Sequence, residues 1–408
     1  MLSLLLLSLG NMEFSKRMKD SIIRRKELNK LKVVPIFGTR PEGIKMAPLV
    51  RELQSRDEIE VKVCITAQHR EMLDQVLQLF KIEPSYDLDI MKTKQSLTGI
   101  TTRVLRGLEK VFETEKPDIV LVHGDTTTTF AASLAAYYKQ IKVGHVEAGL
   151  RSFDKYFPYP EEMNRKLTGA IADLHFAPTP EAMNNLLREG VDRKNIFVTG
   201  NTVIDAMNYT VEKNYIFENE ELNKIDYRKK IIMVTAHRRE NWGEGIENIC
   251  LALKEIKEEN SNCEIVFLVH PNPVVSDTVY GYLKGIKGIH LLPPLSTKET
   301  HNLMNKCYML MTDSGGFQEE APHLGKPALI FRDVTERPEA VKAGAVKLVG
   351  TDRAVMVENG NRLLKDEKLY KYMSMAINPY GDGKASKRIT DQILHYFNLK
   401  EGKIEEYL

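Results

Sequence analysis

The strongest constraint in this sequence is an alternation. Short runs rich in β-branched residues are separated by stretches whose apolar residues recur at helical spacing, and the pattern continues along nearly the whole chain. Residues 31–37, 61–66, 119–122, 143–146 and 175–177 read as strands. A second series follows at 231–235, 264–269, 290–292, 308–311 and 328–331. Amphipathic stretches at 71–80, 98–115, 129–138 and 246–258 lie between them. A strand that returns through a helix runs parallel to its predecessor, so the pattern predicts α/β architecture with parallel sheets covered on both faces.

The series occurs twice, which suits 408 residues better than one core would. Residues 214–228 (NYIFENEELNKIDYR) are polar and poor in strand formers, and a fresh β-α register starts after them. The expected arrangement is two doubly wound, Rossmann-like domains facing across a cleft. The first covers 31–205 and the second 206–384.

Before residue 31 the chain opens with MLSLLLLSLG and continues polar and basic. The apolar run is shorter than the roughly 20 residues a bilayer crossing takes, and no basic residue precedes it. Residues 1–30 are therefore expected to be a dispensable N-terminal extension, with Met12 and Met18 as alternative starts and a weak membrane-surface anchor as the other reading. No stretch of 18 apolar residues occurs elsewhere, so no membrane span is expected. Lysine and arginine number 58 against 56 acidic residues. That balance leaves no electrostatic footprint for nucleic acid, and an anionic ligand must be held by local charge. Cys64, Cys250, Cys263 and Cys307 are far apart, without metal-ligand spacing, and read as reduced thiols of a cytoplasmic protein.

In open α/β sheets, ligands bind outside the carboxyl ends of the strands. The unusual peptides of this chain fall there: Gly38–Glu42, Ala67–Arg70, His123–Thr126 and Glu147–Arg151 in the first series. In the second they are Ala236–Glu240, His270–Pro273 and Asp313–Gly316. One polar tetrapeptide after a strand is a turn; seven at the same ends predict a single polar cleft. Gly38 to Lys45 starts like a phosphate loop but has Ile44 and Lys45 where Walker A needs lysine and a hydroxyl. No G-x-G-x-x-G follows the first strand of either series and no zinc spacing appears, so neither a dinucleotide cofactor nor a metal is expected.

Asp313-Ser-Gly-Gly-Phe-Gln-Glu-Glu320 reads as a strand end followed by a helix N-terminus. Its free N–H groups and the Ser314 hydroxyl could hold a diphosphate, and Glu320 could accept from ribose hydroxyls. An ordinary capped helix fits the same residues. Arg40, Lys45, His237, Arg238 and Arg239 are the cations at strand ends. Asp125, Glu147 and the Glu161-Glu162 pair supply carboxylates of the kind that proton removal and return need, or ion-pair partners for Arg151 and Arg165.

Taken together, FGTRPEGIKMAPL, TAQHREMLDQVL, DIVLVHGDTTTT, VGHVEAGLRS, YPEEMNR, TGNTVID, TAHRREN, MTDSGGFQEEAP, ERPE and NPYGDG make the chain resemble the non-hydrolysing UDP-N-acetylglucosamine 2-epimerases, from Leu31 to about Asn398. Departures are few: the leader, Ser152 for a common threonine, and Lys94 for an occasional arginine. The resemblance implies the GT-B architecture, with a C-terminal helix at 385–400 crossing back to the first domain. It implies acid/base roles for Asp125, Glu147 and Glu161, a catalytic part for His237, and no cofactor. Substrate contacts fall on Arg40, Lys45, Ser314, Gly315, Gly316 and Glu320. A regulatory second substrate site falls on Gln68, Glu71, Lys94, Arg238 and His270.

The activity so implied is reversible epimerisation at C2 between UDP-N-acetylglucosamine and UDP-N-acetylmannosamine, for surface polysaccharide precursors, in a homodimer. C2 is not activated by a carbonyl and no dinucleotide site is apparent, so elimination of UDP to 2-acetamidoglucal and re-addition is the remaining route. The alternatives are a hydrolysing epimerase, a retaining GT-B glycosyltransferase and a non-catalytic sugar-nucleotide sensor.

Overall fold

A computed structural model describes residues 30–407 apart from 69, 93, 94 and 336, together with the backbone but not the side chains of 71 and 72. The extension expected at 1–30 lies, but for Lys30, outside the described residues. Two parallel sheets carry the chain. The first holds β1 (Leu31–Phe37), β2 (Ile59–Val61), β3 (Cys64–Ile65), β4 (Tyr86–Asp87), β5 (Ile119–His123), β6 (Lys142–Val146), β7 (Leu174–Ala177) and β8 (Ile196–Val198). The second holds β9 (Lys230–Thr235), β10 (Cys263–Leu268), β11 (Ile289–Leu292), β12 (Met309–Thr312), β13 (Ala328–Ile330) and β14 (Val346–Leu348).

The strand orders are β4-β3-β1-β5-β6-β7-β8, with β2 also beside β1, and β11-β10-β9-β12-β13-β14. Each reverses direction once, between β1 and β5 and between β9 and β12. Those reversals are the doubly wound switch points, where the loops on either side diverge and leave a crevice. The two-sheet architecture is GT-B-like.

Burial explains why the strands are nearly continuous apolar runs. In β1, Val33 and Phe37 enter one core and Val34 and Ile36 the other. In β9, Ile232 and Val234 face one layer while Ile231 and Met233 face the opposite one. A strand covered on both faces has no polar side to alternate with. The run expected at 61–66 is broken in the structure: β2 ends at Val61 and β3 begins at Cys64, so the two pair with different parts of β1.

Local chemistry starts the helices at the strand ends. Helix Arg40–Gln54 opens with a capping box between Thr39 and Glu42 and with Pro41 in its first turn. Glu42 is buried, and its carboxylate accepts from Gly38 N at 3.0 Å and from Thr126 Oγ1 at 2.6 Å, tying the ends of β1 and β5 together. Burial pushes this carboxyl above its usual range despite those bonds.

Two helices join the halves. Helix Thr202–Thr210 puts Ala206 into a first-sheet core and Val203, Ile204 and Met207 into a second-sheet core. The C-terminal helix Ala385–Tyr396 sends Ile389, Ile393 and Leu394 into the same first-sheet core. Asp205 caps that helix by accepting from Ala385 N at 3.1 Å and Ser386 N at 2.7 Å. Among the described residues, all four cysteines are buried and free, and no helix is long and apolar enough to cross a membrane.

Candidate active site

Between the sheets, at the carboxyl ends of β1, β9 and β12, lies a cavity of about 550 Å³, within the range that takes a small-molecule ligand. Arg40 and Lys45 line it from the first half, and His237, His270, Ser314, Gly316 and Glu320 from the second. The structure thus brings residues of the predicted peptides and one more charged group, Arg337, onto one surface.

The floor is the N-terminus of helix Gly315–His323. Ser314 stands at the cap position but makes no side-chain cap bond, so its hydroxyl and the first-turn N–H groups are available to an anion. Glu320 is buried, and its Oε2 has no hydrogen-bond partner among the described residues; His301 Nε2 lies 3.5 Å away. A buried carboxylate oxygen with no donor is an acceptor waiting for a ligand hydroxyl. Arg40 reaches across the cleft, its guanidinium donating to Thr297 Oγ1 at 2.9 Å.

His237 is held by Asp313. The Asp313 carboxylate lies 3.1 Å from His237 Nδ1, and its other oxygen accepts from the backbone N–H groups of His237 and Arg238 at 2.8 Å each. Burial alone would raise this carboxyl; the histidine ring and the two N–H groups hold it below the usual range. With that carboxylate beside its Nδ1, His237 lines the cavity. His270 stacks on it at 5.8 Å between ring centroids. Sequence reasoning places Asp313 at a helix N-terminus that is either an anion site or an ordinary cap, and assigns it no part in holding His237. Its position one residue past a buried strand and before Ser314 is the signal that could have marked it.

Deeper in the first half lie the carboxylates. Glu147 follows β6 with a φ of 61°, in the left-handed region that non-glycine residues avoid; such strain collects at functional sites. Its Oε2 is ion-paired to Lys45 and accepts from Asn201 Nδ2 at 2.7 Å, with His123 Nε2 at 3.8 Å. Burial pushes its pKa up, but Lys45 and the other cations outweigh this and hold it well below the carboxylate range. Asp125 is displaced the other way. Burial raises it, Arg165 at 2.5 Å opposes, and the charge of Glu147 adds to the rise.

Arg165 therefore pairs with Asp125 as one sequence reading allows, whereas Arg151 pairs with Glu189 at 2.6 Å. Glu161 begins helix Glu161–Ile171 half-buried, with no side-chain bond among the described residues. Its neighbour Glu162 is fully buried and ties down the preceding loop through Ser152 N and Phe153 N. Of the predicted second-site residues, His270 lines the main cavity beside His237. Arg238 lies one residue further on. Gln68 accepts from Thr128 Oγ1 at 3.2 Å in the first half. Lys94 and the Glu71 side chain lie outside the described residues.

Asn201, Glu319 and Arg337 are not among the predicted site residues. Asn201 and Arg337 stand inside TGNTVID and ERPE, so distinctive peptides mark them without indicating a role.

Comparison with known proteins bears on this arrangement. Residues 51–394 match the family model described as UDP-N-acetylglucosamine 2-epimerase. A Clostridium acetobutylicum protein is 70% identical over 381 residues, 93% of this chain and 99% of its own length. The UDP-N-acetylglucosamine 2-epimerase of Bacillus subtilis is 52% identical over 380 residues, again 93% and 99%. Among solved structures, the UDP-GlcNAc 2-epimerase of Neisseria meningitidis bound to UDP-GlcNAc superposes with a TM-score of 0.82 at 50% identity, covering 89% of this chain and 100% of that one.

Proposed function

The chain belongs to the UDP-N-acetylglucosamine 2-epimerase family, and from that premise we propose that it interconverts UDP-N-acetylglucosamine and UDP-N-acetylmannosamine without releasing free sugar. The observation that carries this reading is a pair of carboxylates displaced in opposite directions, Glu147 lowered and Asp125 raised, with Lys45 linking Glu147 to the cavity that Ser314 and Gly316 also line. Carboxylates pushed apart by their surroundings divide the work of base and acid.

In the proposed sequence UDP sits with its diphosphate on Ser314, Gly315 and Gly316 and its ribose on Glu320. Arg40 and His237 meet the charge that grows on the departing phosphate oxygen. Glu147 takes the C2 proton of UDP-N-acetylglucosamine while the C1–O bond breaks with its electron pair, giving 2-acetamidoglucal and UDP. Asp125 gives a proton to the other face of C2 as a UDP oxygen adds back to C1. Glu161, at the start of the helix that carries Arg165, completes the set. Lys45 is read as the partner that keeps Glu147 ionised as much as a substrate contact.

Incubation with UDP-N-acetylglucosamine alone in D2O, followed by NMR, tests the proposal. Both epimers should acquire deuterium at C2. Retained C2 hydrogen would exclude the elimination, and free N-acetylmannosamine would favour a hydrolysing enzyme. Transfer of sugar only when an acceptor is added would favour a glycosyltransferase.

The same reading assigns regulation to a second UDP-N-acetylglucosamine bound through Gln68, Glu71, Lys94, Arg238 and His270, favouring domain closure by its greater affinity for the closed state. Reaction from UDP-N-acetylmannosamine alone should then be slow until a little UDP-N-acetylglucosamine is added; hyperbolic kinetics with no such response would refute it. The reading also carries a cytoplasmic homodimer supplying surface polysaccharide precursors, which light scattering and the loss of such polymers on gene deletion would check.

A further inference from the structure

Glu319 and Glu320 are neighbours on helix Gly315–His323 with different surroundings. Glu320 faces the cavity. Glu319 is buried and turns to the junction of the two halves, where its Oε1 accepts from Arg337 Nε at 2.6 Å. Its Oε2 lies 3.5 Å from Lys45 Nζ and accepts from Asn201 Nδ2 at 3.3 Å. Lys45 and Asn201 both continue to one atom, Oε2 of Glu147. Two bridges therefore run from the nucleotide-side helix to that carboxylate.

Among the described residues the group holds two carboxylates, Glu147 and Glu319, and two cations, Lys45 and Arg337. Buried charges persist only when paired and hydrogen-bonded, so removal of one member leaves the others to regroup. Its parts also come from separate places. Lys45 is on the helix after β1, Glu147 follows β6, Asn201 caps the helix that leaves the first half, and Glu319 lies beyond β12. These four side chains meet only when the two halves are seated against each other.

We propose that Glu319 is a positioning residue for Glu147: through Lys45 and Asn201 it makes the placement of that carboxylate depend on the helix that receives the nucleotide. The inference rests on the epimerase reading given above. Neutralising Glu319 frees Lys45 and Asn201 to shift, and Glu147 moves with them, while the diphosphate and ribose contacts stay intact.

The test compares Glu319→Gln with wild type in kcat, KM for UDP-N-acetylglucosamine, UDP affinity by calorimetry, and deuterium uptake at C2. A misplaced reacting group costs on the order of 10²-fold in rate. A fall of about that size is expected in kcat, with deuterium uptake falling in parallel and KM and UDP affinity nearly unchanged. Asn201→Ser keeps an oxygen to cap helix Thr202–Thr210 but is too short to bridge the carboxylates, and should act the same way. It decides the matter should Glu319→Gln fail to fold. Wild-type kcat in either folded variant, or a loss of UDP affinity that accounts for the loss of rate, overturns the inference. An inactive wild-type enzyme would instead overturn the epimerase reading beneath it.

Discussion

Glu147→Gln is expected to lower kcat by about 10²-fold or more, the ordinary contribution of a general base, while UDP still binds. The amide is close to isosteric with the carboxylate and its oxygen can still accept from Lys45 and Asn201; the charges around it regroup, but the diphosphate and ribose contacts on the other side of the cleft should stay intact. What disappears is basicity: an amide cannot take the C2 proton. Asp125→Asn should lower kcat on the same scale for another reason, since it removes the group proposed to return the proton on the other face. Deuterium distinguishes the two. With Glu147→Gln, neither uptake at C2 nor product should form from UDP-N-acetylglucosamine. With Asp125→Asn, the starting epimer should slowly acquire deuterium with little UDP-N-acetylmannosamine made. The two losses should not add in the double variant, because the residues serve one reaction path. Near-normal kcat in Glu147→Gln would remove it from the list of bases, and product from Asp125→Asn at the wild-type rate would do the same for Asp125.

That these carboxylates are legible in the amino-acid sequence, while their partners are not, follows from sequence distance. Glu147 and Asp125 sit one and two residues past the ends of their strands, and the rule that ligands collect at strand ends reaches them without knowing which strands are neighbours. The longer strands of both sheets are legible for the same reason, being unbroken runs buried on two faces. The misses are the short ones. β8 and β14 have three residues each, and β4 has two, too few for a period to show. Asp313, Glu319, Asn201 and His123 act through contacts made across 54 to 118 positions or between adjacent strands, and nothing in the local sequence states which charge will meet which. His123 illustrates the limit. As a histidine at a strand end it looks like a ligand or a catalyst, yet burial pushes its pKa down to about 4 and its ring stays neutral beneath Glu147.

The other large effect concerns the loop that carries Glu147. Gly149 has a φ of 91°, and a Cβ built on it would lie 2.2 Å from the carbonyl oxygen of Ala182 and 3.1 Å from Leu186 Cδ1. The oxygen belongs to the backbone of helix Pro180–Arg188, which cannot swing aside as a long side chain could. The same loop is fastened there by Asn185 Nδ2, which donates to Gly149 O at 3.0 Å. Gly149→Ala therefore meets two penalties. Left-handed backbone costs an alanine about 1–2 kcal/mol, and forcing loop and helix apart costs about 1–3 kcal/mol more, as overpacking does. The sum, about 2–5 kcal/mol, is a large part of the roughly 5–15 kcal/mol that holds a domain folded. Gly190 provides the control. It stands just past the end of the same helix with a φ of 86° and nothing among the described residues within 4 Å of its would-be Cβ, so Gly190→Ala should show the backbone penalty alone. Urea unfolding of both variants should give the larger loss for Gly149→Ala. That variant should also lose kcat even where it is fully folded, because the displaced loop carries Glu147 away from Lys45 and Asn201. Equal destabilisation by the two alanines, with kcat intact in Gly149→Ala, would mean that the loop has room to yield and that the seating of Glu147 does not depend on its close approach to that helix.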